Sequence, residues 1–260
     1  MEAIGTYETS ESKEAENILE RIVPRLSHSN PAVILSAAKV ILKFLPVIEN
    51  QEKEKAVLKK MAAPLVSLLS SEAEIQYVAL RNISFVLQKY SNVFAESVKV
   101  FYCKFNDPVY VKLEKIEVLV KVTNESNVEA VLGELKEYAN DLDTDIVKRS
   151  VKAIGQLILK IDKASKRAIE ILHEIINQGS GYGLQEAVVV AKDIFRKFPN
   201  KYEHMIRDFA LKYREFFEPD SKAAIVWIIG EYSEKIEKVE EIMNEYIDTF
   251  LEEPVKVQLQ

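Results

Sequence analysis

Residues 30–45 read NPAVILSAAKVILKFL, the pattern of a helix that buries one broad face. Apolar residues recur at intervals of three and four, as at Ile34, Ala37 and Ile41, which places them on one side of an α-helix. Comparable stretches return along the chain: AEIQYVALRNISFVLQKY (73–90), DPVYVKLEKIEVLVKV (107–122), TDIVKRSVKAIGQLILKI (144–161), YGLQEAVVVAKDIFRKF (182–198), PDSKAAIVWIIGEYSEKI (219–236) and PVKVQLQ (254–260). Such recurrence predicts a repeat array.

The period follows from a small residue that comes early in most of these stretches. These residues are Ala37, Ala79, Ser150, Ala187 and Ala224. Successive intervals are 42, 71, 37 and 37 residues, and the interval of 71 spans two repeats with the 107–122 stretch between them. Periods near 37 residues are typical of HEAT-type units, whereas tetratricopeptide arrays keep to about 34.

A second, more charged helix is predicted between consecutive stretches, at roughly 12–27, 51–70, 91–104, 126–140, 163–178, 200–217 and 236–252. No stretch of the sequence shows sustained strand alternation, and seven glycines and eight prolines are too few for a protein rich in tight turns. The sequence therefore predicts an all-α fold, a right-handed α-solenoid (superhelix) of about six HEAT/armadillo-like two-helix repeats. We expect a single solenoid segment over 1–260, with a disordered or extended lead at 1–11 and the truncated start of a further repeat at 254–260.

Composition excludes several classes of protein. Lys and Arg total 35 against 41 Asp and Glu, a net charge of −6, so we expect no nucleic-acid partner. The single cysteine, Cys103, fits a reducing compartment. The first residues lack a secretory signal, and no apolar run approaches the ~20 residues of a spanning helix. These features predict a cytoplasmic protein.

Short motifs give no active site. Asp141-x-Asp143-x-Asp145 copies the start of an EF-hand loop, but the sixth position is Ile146 and the twelfth is Lys152, so we interpret it as an acidic loop with a helix N-cap. Gly179-Ser-Gly181-Tyr-Gly183 lacks the Gly-Lys-Ser/Thr of a P-loop and predicts a flexible joint. Neither the three histidines nor Cys103 has metal-ligand spacing. We predict no catalytic residue, no metal site and no cofactor.

One basic cluster is a candidate binding site. Its members are Lys192, Arg196, Lys197 and Lys201. Contact with an acidic partner or a phosphoinositide headgroup is one interpretation. The alternative is a solvated helix face on which the cations pair with acidic neighbours. Trp227, flanked by apolar residues, is expected in the core.

Long strings resemble one family. VPRLSHSNPAVILSAAKVILKFL (23–45), APLVSLLSSEAEIQYVALRNISFVLQK (63–89), VKVFYCKFNDPVYVKLEKIEVL (98–119), LGELKEYANDLDTDIVKRSVKAIG (132–155), LQEAVVVAKDIFRKFPNKYE (184–203), AAIVWIIGEYSEKI (223–236) and the final VQLQ resemble beta-adaptin, the beta subunit of clathrin adaptor complexes. The resemblance runs in order from about Glu14 to the end. We assign the chain to the middle-to-C-terminal part of the adaptin trunk, with Met1 supplied by expression.

The resemblance implies a non-catalytic scaffold in vesicle-mediated transport, in endocytosis, Golgi–endosome sorting or both. Its implied partners are the second large subunit and the medium subunit, whose N-terminal domain lies against this part of the trunk. Clathrin would bind only through regions outside this sequence, and contact with plasma or Golgi/endosomal membranes would be peripheral, through the assembled complex. A HEAT-repeat scaffold of another assembly, such as coatomer, is the alternative, and an enzyme is a second.

Overall fold

A computed structural model describes residues 2–90, 92–178, 181–199 and 201–260 of the chain. These residues group into two compact units, Met1–Thr123 and Asn124–Gln260. The sequence led us to expect one continuous solenoid segment, so each unit is considered by itself. None of the described residues lies in a β-strand, and no helix among them is both long and apolar enough to cross a bilayer.

Unit 1 alternates helices with short 3-10 segments. Its helices are α1 (Glu2–Thr6), α2 (Ser12–Ile22), α3 (Pro31–Phe44), α4 (Gln51–Ser67), α5 (Ala73–Lys89) and α6 (Val109–Val122). Its 3-10 segments are Val23–Ser27, Leu45–Val47, Leu68–Ser70 and Ala95–Phe101. Helix α3 packs on α5, and α5 packs on α6, so these apolar helices form the inner layer of the unit.

Unit 2 repeats the arrangement. Its helices are α7 (Val128–Tyr138), α8 (Thr144–Lys160), α9 (Ser165–Gln178), α10 (Tyr182–Lys197), α11 (His204–Leu211), α12 (Pro219–Glu231), α13 (Val239–Asp248) and α14 (Val255–Gln258). The 3-10 segments are Asp162–Ala164, Tyr213–Glu215 and Ser233–Lys235. Helices α8, α10, α12 and α14 pack side by side, and α7, α9 and α11 form a second layer. The predicted all-α fold of two-helix repeats is thereby confirmed in each unit.

Small residues lie where inner helices meet. The aligned positions Ala37, Ala79, Ser150, Ala187 and Ala224 are all 0% exposed, as the period predicted. Gly155 of α8 is the extreme case, because a Cβ built there would lie 2.4 Å from a methyl carbon of Val190 on α10. Only glycine permits this approach without a shift of one helix.

Polar contacts between consecutive repeats show the same period. Lys53 Nζ lies 2.7 Å from Glu16 Oε2, 37 residues away, and Tyr90 donates to Glu54 across 36 residues. In unit 2, Lys136 pairs with Glu174. Lys256 Nζ lies 2.5 Å from Asp220 Oδ1. Within each unit, these side chains about one period apart join neighbouring repeats.

Two segments differ from the prediction. Residues 1–11 were expected to be disordered or extended, but Glu2–Thr6 form α1, which lies against α3 and whose Gly5 carbonyl accepts from Lys43 Nζ at 2.9 Å. Residues 91–104 were expected to form an α-helix, but a 3-10 segment at Ala95–Phe101 takes its place, with a break at Ser97 (φ −107°, ψ 21°). A groove of about 1040 Å³ lies between α4 and residues 92–97.

Two turns that precede inner helices are held by buried polar side chains. Before α6, Lys115 Nζ lies 2.6 Å from Asp107 Oδ2, and the two side chains are 0% and 4% exposed. Asp107 Oδ2 also accepts from the Lys104 amide at 2.7 Å. Before α12, the buried amide of Gln185 accepts from the amides of Phe217 (3.0 Å) and Glu218 (3.3 Å).

Candidate functional site

The basic cluster lies at the C-terminal end of α10 and just beyond it. Lys192, Arg196 and Lys197 are on the helix, and Lys201 follows it. Cations favour this end of a helix, where the last carbonyl groups carry partial negative charge. Within the described residues, none of the four forms an ion pair with a carboxylate, which differs from the alternative interpretation of a face whose cations pair with acidic neighbours.

Arg196 is directed towards α12. Its guanidinium carbon lies 4.5 Å from the centre of the Trp227 ring, which is the distance of a cation–π contact. Trp227 is half-buried, so the expectation of a core tryptophan is wrong in part, and Arg196 lies over its ring. The ring also meets Tyr232 edge to face, at 6.5 Å between centroids.

Lys197 is directed the other way, towards α8. Its Nζ donates to the carbonyl oxygen of Leu159 in the last turn of that helix. This carbonyl is among the four at a helix end that have no partner within the helix. Lys197 therefore caps the neighbouring helix, which is a structural role.

Lys201 shares an aromatic ring with Lys197. Their Nζ atoms lie 5.2 and 5.3 Å from the centre of the Phe198 ring, and Lys201 is also 5.2 Å from the centre of Tyr202. The cluster is thus divided into two pairs. Lys197 and Lys201 meet at Phe198, while Arg196 covers Trp227, with Lys192 one helical turn before it.

Tyr232, which meets the Trp227 ring, lies in an acidic environment. Asp193 and Glu231 are exposed. Burial, together with the charges of Glu203 and Glu231, raises the pKa of Tyr232, so its hydroxyl stays protonated at neutral pH.

The other motifs serve local structure. Asp143 is the N-cap of α8 and accepts from the amides of Asp145 (3.0 Å) and Ile146 (3.2 Å), as expected of an acidic loop with a cap. The proposed joint at Gly179–Gly183 falls partly outside the described residues. Of its remaining members, Gly181 has a φ of +79°, which glycine adopts freely, and Tyr182 begins α10.

Two histidines that are distant in sequence meet in unit 2. The rings of His173 and His204 are 5.6 Å apart, and His173 Nε2 lies 2.8 Å from Asp208 Oδ2. No sequence signal pairs them, because their separation of 31 residues is shorter than the period of about 37. Across the described ranges, no group of three or more His, Cys, Asp and Glu side chains is arranged to hold a metal ion.

Comparison with known proteins gives the family. All 260 residues match the model described as the adaptin N-terminal region. The chain belongs to this family. It is 46% identical over its whole length to the AP-1 complex subunit beta of Dictyostelium discoideum and 43% identical to the human AP-1 complex subunit beta-1, and it spans 28% of the length of each. It is 39% identical to the AP-2 complex subunit beta of Schizosaccharomyces pombe over 97% of the chain, which is 38% of that relative.

The likeness extends to the fold. A chain in a homology model of the full-length AP-3 complex, in an intermediate open conformation, has a TM-score of 0.70 over 92% of this adaptin chain and 39% of its own length, at 23% identity. The expected place in the middle-to-C-terminal part of the trunk is corrected, because the family match is to the N-terminal region of adaptins. Shared strings identify a family, but they do not by themselves fix the position of a segment within its members.

Proposed function

We propose that this chain is a non-catalytic scaffold segment of the beta subunit of a clathrin adaptor complex, acting in vesicle-mediated transport. Its partners in this proposal are the second large subunit and the medium subunit. It meets the membrane of plasma-membrane or Golgi/endosomal coated vesicles only peripherally, through the assembled complex. We assign no clathrin contact to these 260 residues.

One observation carries the proposal: identity of 46% and 43% to AP-1 beta subunits of an amoeba and a human extends over the entire chain. Because an AP-2 beta subunit is also 39% identical, the proposal covers both kinds of adaptor complex. Endocytosis and Golgi–endosome sorting are therefore both included.

The physics of helical repeats supports a scaffold role. Each repeat is stabilised by its neighbours, so a stack of helix pairs keeps its shape while presenting a long surface for partners. In unit 2, the inner helices α8, α10 and α12 supply the buried contacts, which leaves the solvent-facing sides of the helices available for binding.

The test is co-expression of the chain with the N-terminal domain of an adaptor medium subunit, followed by size-exclusion chromatography with light scattering. We expect one peak with the summed mass of the two proteins in a one-to-one ratio. The matched control is the equivalent domain of the coatomer subunit, which should elute separately.

Separate elution of the chain and the adaptor domain would contradict a direct contact with the medium subunit. Co-elution with the coatomer domain instead would favour the alternative, a HEAT-repeat scaffold of coatomer. Circular dichroism of the chain alone, run in parallel, excludes loss of folding as the cause of either result.

A further inference from the structure

The second half of α4 is apolar on all sides, although α4 lies outside the inner layer of unit 1. Met61–Val66 reads MAAPLV, six apolar residues in succession. Met61 and Leu65 are buried within the unit. The remaining sides are apolar too, since Ala63 is exposed and Val66 is half-buried. A helix that is apolar all round is normally covered on every side.

Helix α9, in the second layer of unit 2, has a different outer face. The exposed positions in its described part carry charged or polar side chains, namely Lys166, Arg167, Glu170 and Asn177. Such a polar face is typical of an outer helix in contact with water. The apolar outer face of α4 therefore indicates a surface that another molecule covers.

This face of α4 borders the groove of about 1040 Å³ between α4 and residues 92–97, which we call the α4 groove. On α4, the lining residues recur at intervals of three and four, as at Ala56, Lys59, Ala63 and Val66. The half-buried Val93 and the buried Phe94 line the groove from the other side. Apolar side chains are thus present on both walls.

The arrangement of the repeats indicates which kind of segment fits the α4 groove. In unit 2, outer helices pack side by side, α7 on α9 and α9 on α11. In unit 1, the 3-10 segment Ala95–Phe101 takes the place of an outer α-helix, and the α4 groove lies between its first residues and α4. Small side chains at Ala56 and Ala63 allow a further helix to approach α4 closely.

An extended peptide is a poorer fit than a helix. Extended peptides bind by adding a strand to the edge of a sheet, and none of the described residues lies in a β-strand. A helix satisfies its own backbone hydrogen bonds and needs only an apolar groove for its apolar face. From Glu52 to Ser67 the wall formed by α4 is roughly 22 Å long, which matches about four turns of a second helix.

Charges on the two walls give such a helix an orientation. From Lys55 to Ser67, α4 carries three lysines and no acidic residue, and both Lys55 and Lys59 line the α4 groove. Glu96 lines the other wall, and Glu52 lies in the first turn of α4, roughly 10 Å of helix before Lys59. Among the described residues, these four lining side chains form no ion pair. A helix is complementary when an acidic side chain meets Lys59 and a basic one meets Glu96.

We propose that the α4 groove binds an amphipathic helix of a partner protein. Apolar side chains of this helix pack against Ala63 and Val66, and an acidic side chain at the edge of its apolar face pairs with Lys59. The inference does not depend on the proposed scaffold role, because every residue that it uses lies within unit 1.

Peptide selection on the 260-residue chain tests the proposal. The probe is a phage-displayed library of helical peptides of about 18 residues, random along one face, which is long enough to span the groove. We expect the enriched peptides to have apolar residues three and four apart, with an acidic residue at the edge of the apolar face. Fluorescence anisotropy then measures the affinity of the most enriched peptide, made synthetically with a fluorescent label.

Variants of the chain locate the bound peptide. Ala63→Arg places a long charged side chain at an exposed position of the groove wall, so peptide affinity should fall about tenfold or more. Ala130→Arg is the matched control, because Ala130 is an exposed alanine of the outer helix α7, and affinity should change less than about twofold. Circular dichroism verifies the fold of both variants.

A charge reversal tests the orientation of the helix. Lys59→Glu should weaken binding about threefold or more, because the acidic residue of the peptide then meets a like charge. A peptide with lysine in place of that acidic residue should bind Lys59→Glu more tightly than the original peptide does. If the exchanged peptide gains nothing, the predicted pairing with Lys59 is wrong.

Three further results would overturn the proposal. One is a selection that enriches no peptide, or only proline-rich or extended ones. Another is a peptide affinity that Ala63→Arg leaves unchanged, or that Ala130→Arg lowers as strongly. The third is a concentration-dependent dimer of the chain alone, measured by light scattering and abolished by Ala63→Arg, because a second copy of the chain would then be what covers the α4 groove.

Discussion

The turn before α6 in unit 1 is held by charged side chains, whereas the turn before α12 in unit 2 is held by a neutral one. The first depends on a buried ion pair, with Lys115 Nζ 2.6 Å from Asp107 Oδ2. The second depends on a neutral amide, with Gln185 accepting from the Phe217 and Glu218 amides and donating to the Glu215 carbonyl at 2.9 Å. Both fix the chain at the point where an inner helix begins.

The difference concerns what remains when one partner is removed. Removal of one member of a buried ion pair leaves an uncompensated charge, which can be relieved by removing the other member as well. Removal of Gln185 leaves backbone amides without a partner, and no side-chain change can remove those. We call the pair of Lys115 and Asp107 the charged clamp, and Gln185 with its backbone partners the neutral clamp. Loss of one member of the charged clamp should lower stability strongly, and replacement of both members should restore most of it. Loss of the neutral clamp should cost less stability, and no second substitution should restore it.

The largest effect is expected at Lys115. Substitution Lys115→Met should lower the free energy of unfolding by about 3–5 kcal/mol, because Asp107 is then buried without a counter-charge. Urea unfolding followed by circular dichroism measures the change.

The double variant Lys115→Met with Asp107→Asn sharpens this prediction. The asparagine carbonyl can still accept from the Lys104 amide, and no buried charge remains, so most of the lost stability should return. If the double variant is as unstable as Lys115→Met alone, the contribution of Lys115 is packing rather than charge.

A smaller loss is expected at the neutral clamp. Gln185→Leu should cost about 2–3 kcal/mol, because the amides of Phe217 and Glu218 lose their acceptor inside the unit. Trp227 emission during urea unfolding follows unit 2. Adding Ser221→Ala to Gln185→Leu should restore nothing, and a clear recovery would show that the two clamps do not differ as described.

The spacing of inner helices gives a third pair of variants. Gly155→Ala should cost about 1–3 kcal/mol, because its Cβ would overlap with Val190 and α8 would move from α10. Gly133→Ala in α7 is the matched control: no atom lies within 4 Å of its Cβ, so it should stabilise the chain by up to about 1 kcal/mol through helix propensity. Thermal denaturation compares them, and equal shifts in Tm would refute the close approach of α8 and α10.

The smallest effect is expected at two N-caps, the exposed Asn50 and the half-buried Asp143, where charge should matter little. Asn50 caps α4 in unit 1 through its neutral amide, and Asp143 caps α8 in unit 2 through its carboxylate. Changing either to alanine should cost about 1 kcal/mol. Urea titrations measure the loss in free energy of unfolding of each variant. If the two losses differed by several kcal/mol, the contrast between neutral and charged groups would extend beyond buried sites.

The repeat period predicted much of the fold, because buried positions recur at this interval. Ala37, Ala79, Ser150, Ala187 and Ala224 are fully buried, as their alignment required. In the 107–122 stretch, however, the position 36 residues after Ala79 and 35 before Ser150 is Lys115. A lysine there cannot be identified as buried from the pattern, since its partner Asp107 lies in a turn whose course depends on the tertiary structure.

The candidate site was predictable in position but not in organisation. The sequence brings Lys192, Arg196, Lys197 and Lys201 together, yet side chains one residue apart on a helix diverge by about 100°. Arg196 and Lys197 consequently serve different neighbours, α12 and α8. The contact with Trp227 joins residues 31 positions apart and follows only from the packing of those helices.

The proposed scaffold function requires binding surfaces that are already folded before a partner arrives. Hydrogen–deuterium exchange of the chain, alone and with the medium-subunit domain, tests it most directly. We predict that amides in α8 and α10 are strongly protected in the free chain and unchanged in the complex, with new protection confined to exposed faces. Weak protection of these helices in the free chain, followed by broad protection of both units on binding, would contradict the claim because the chain would then fold on its partner.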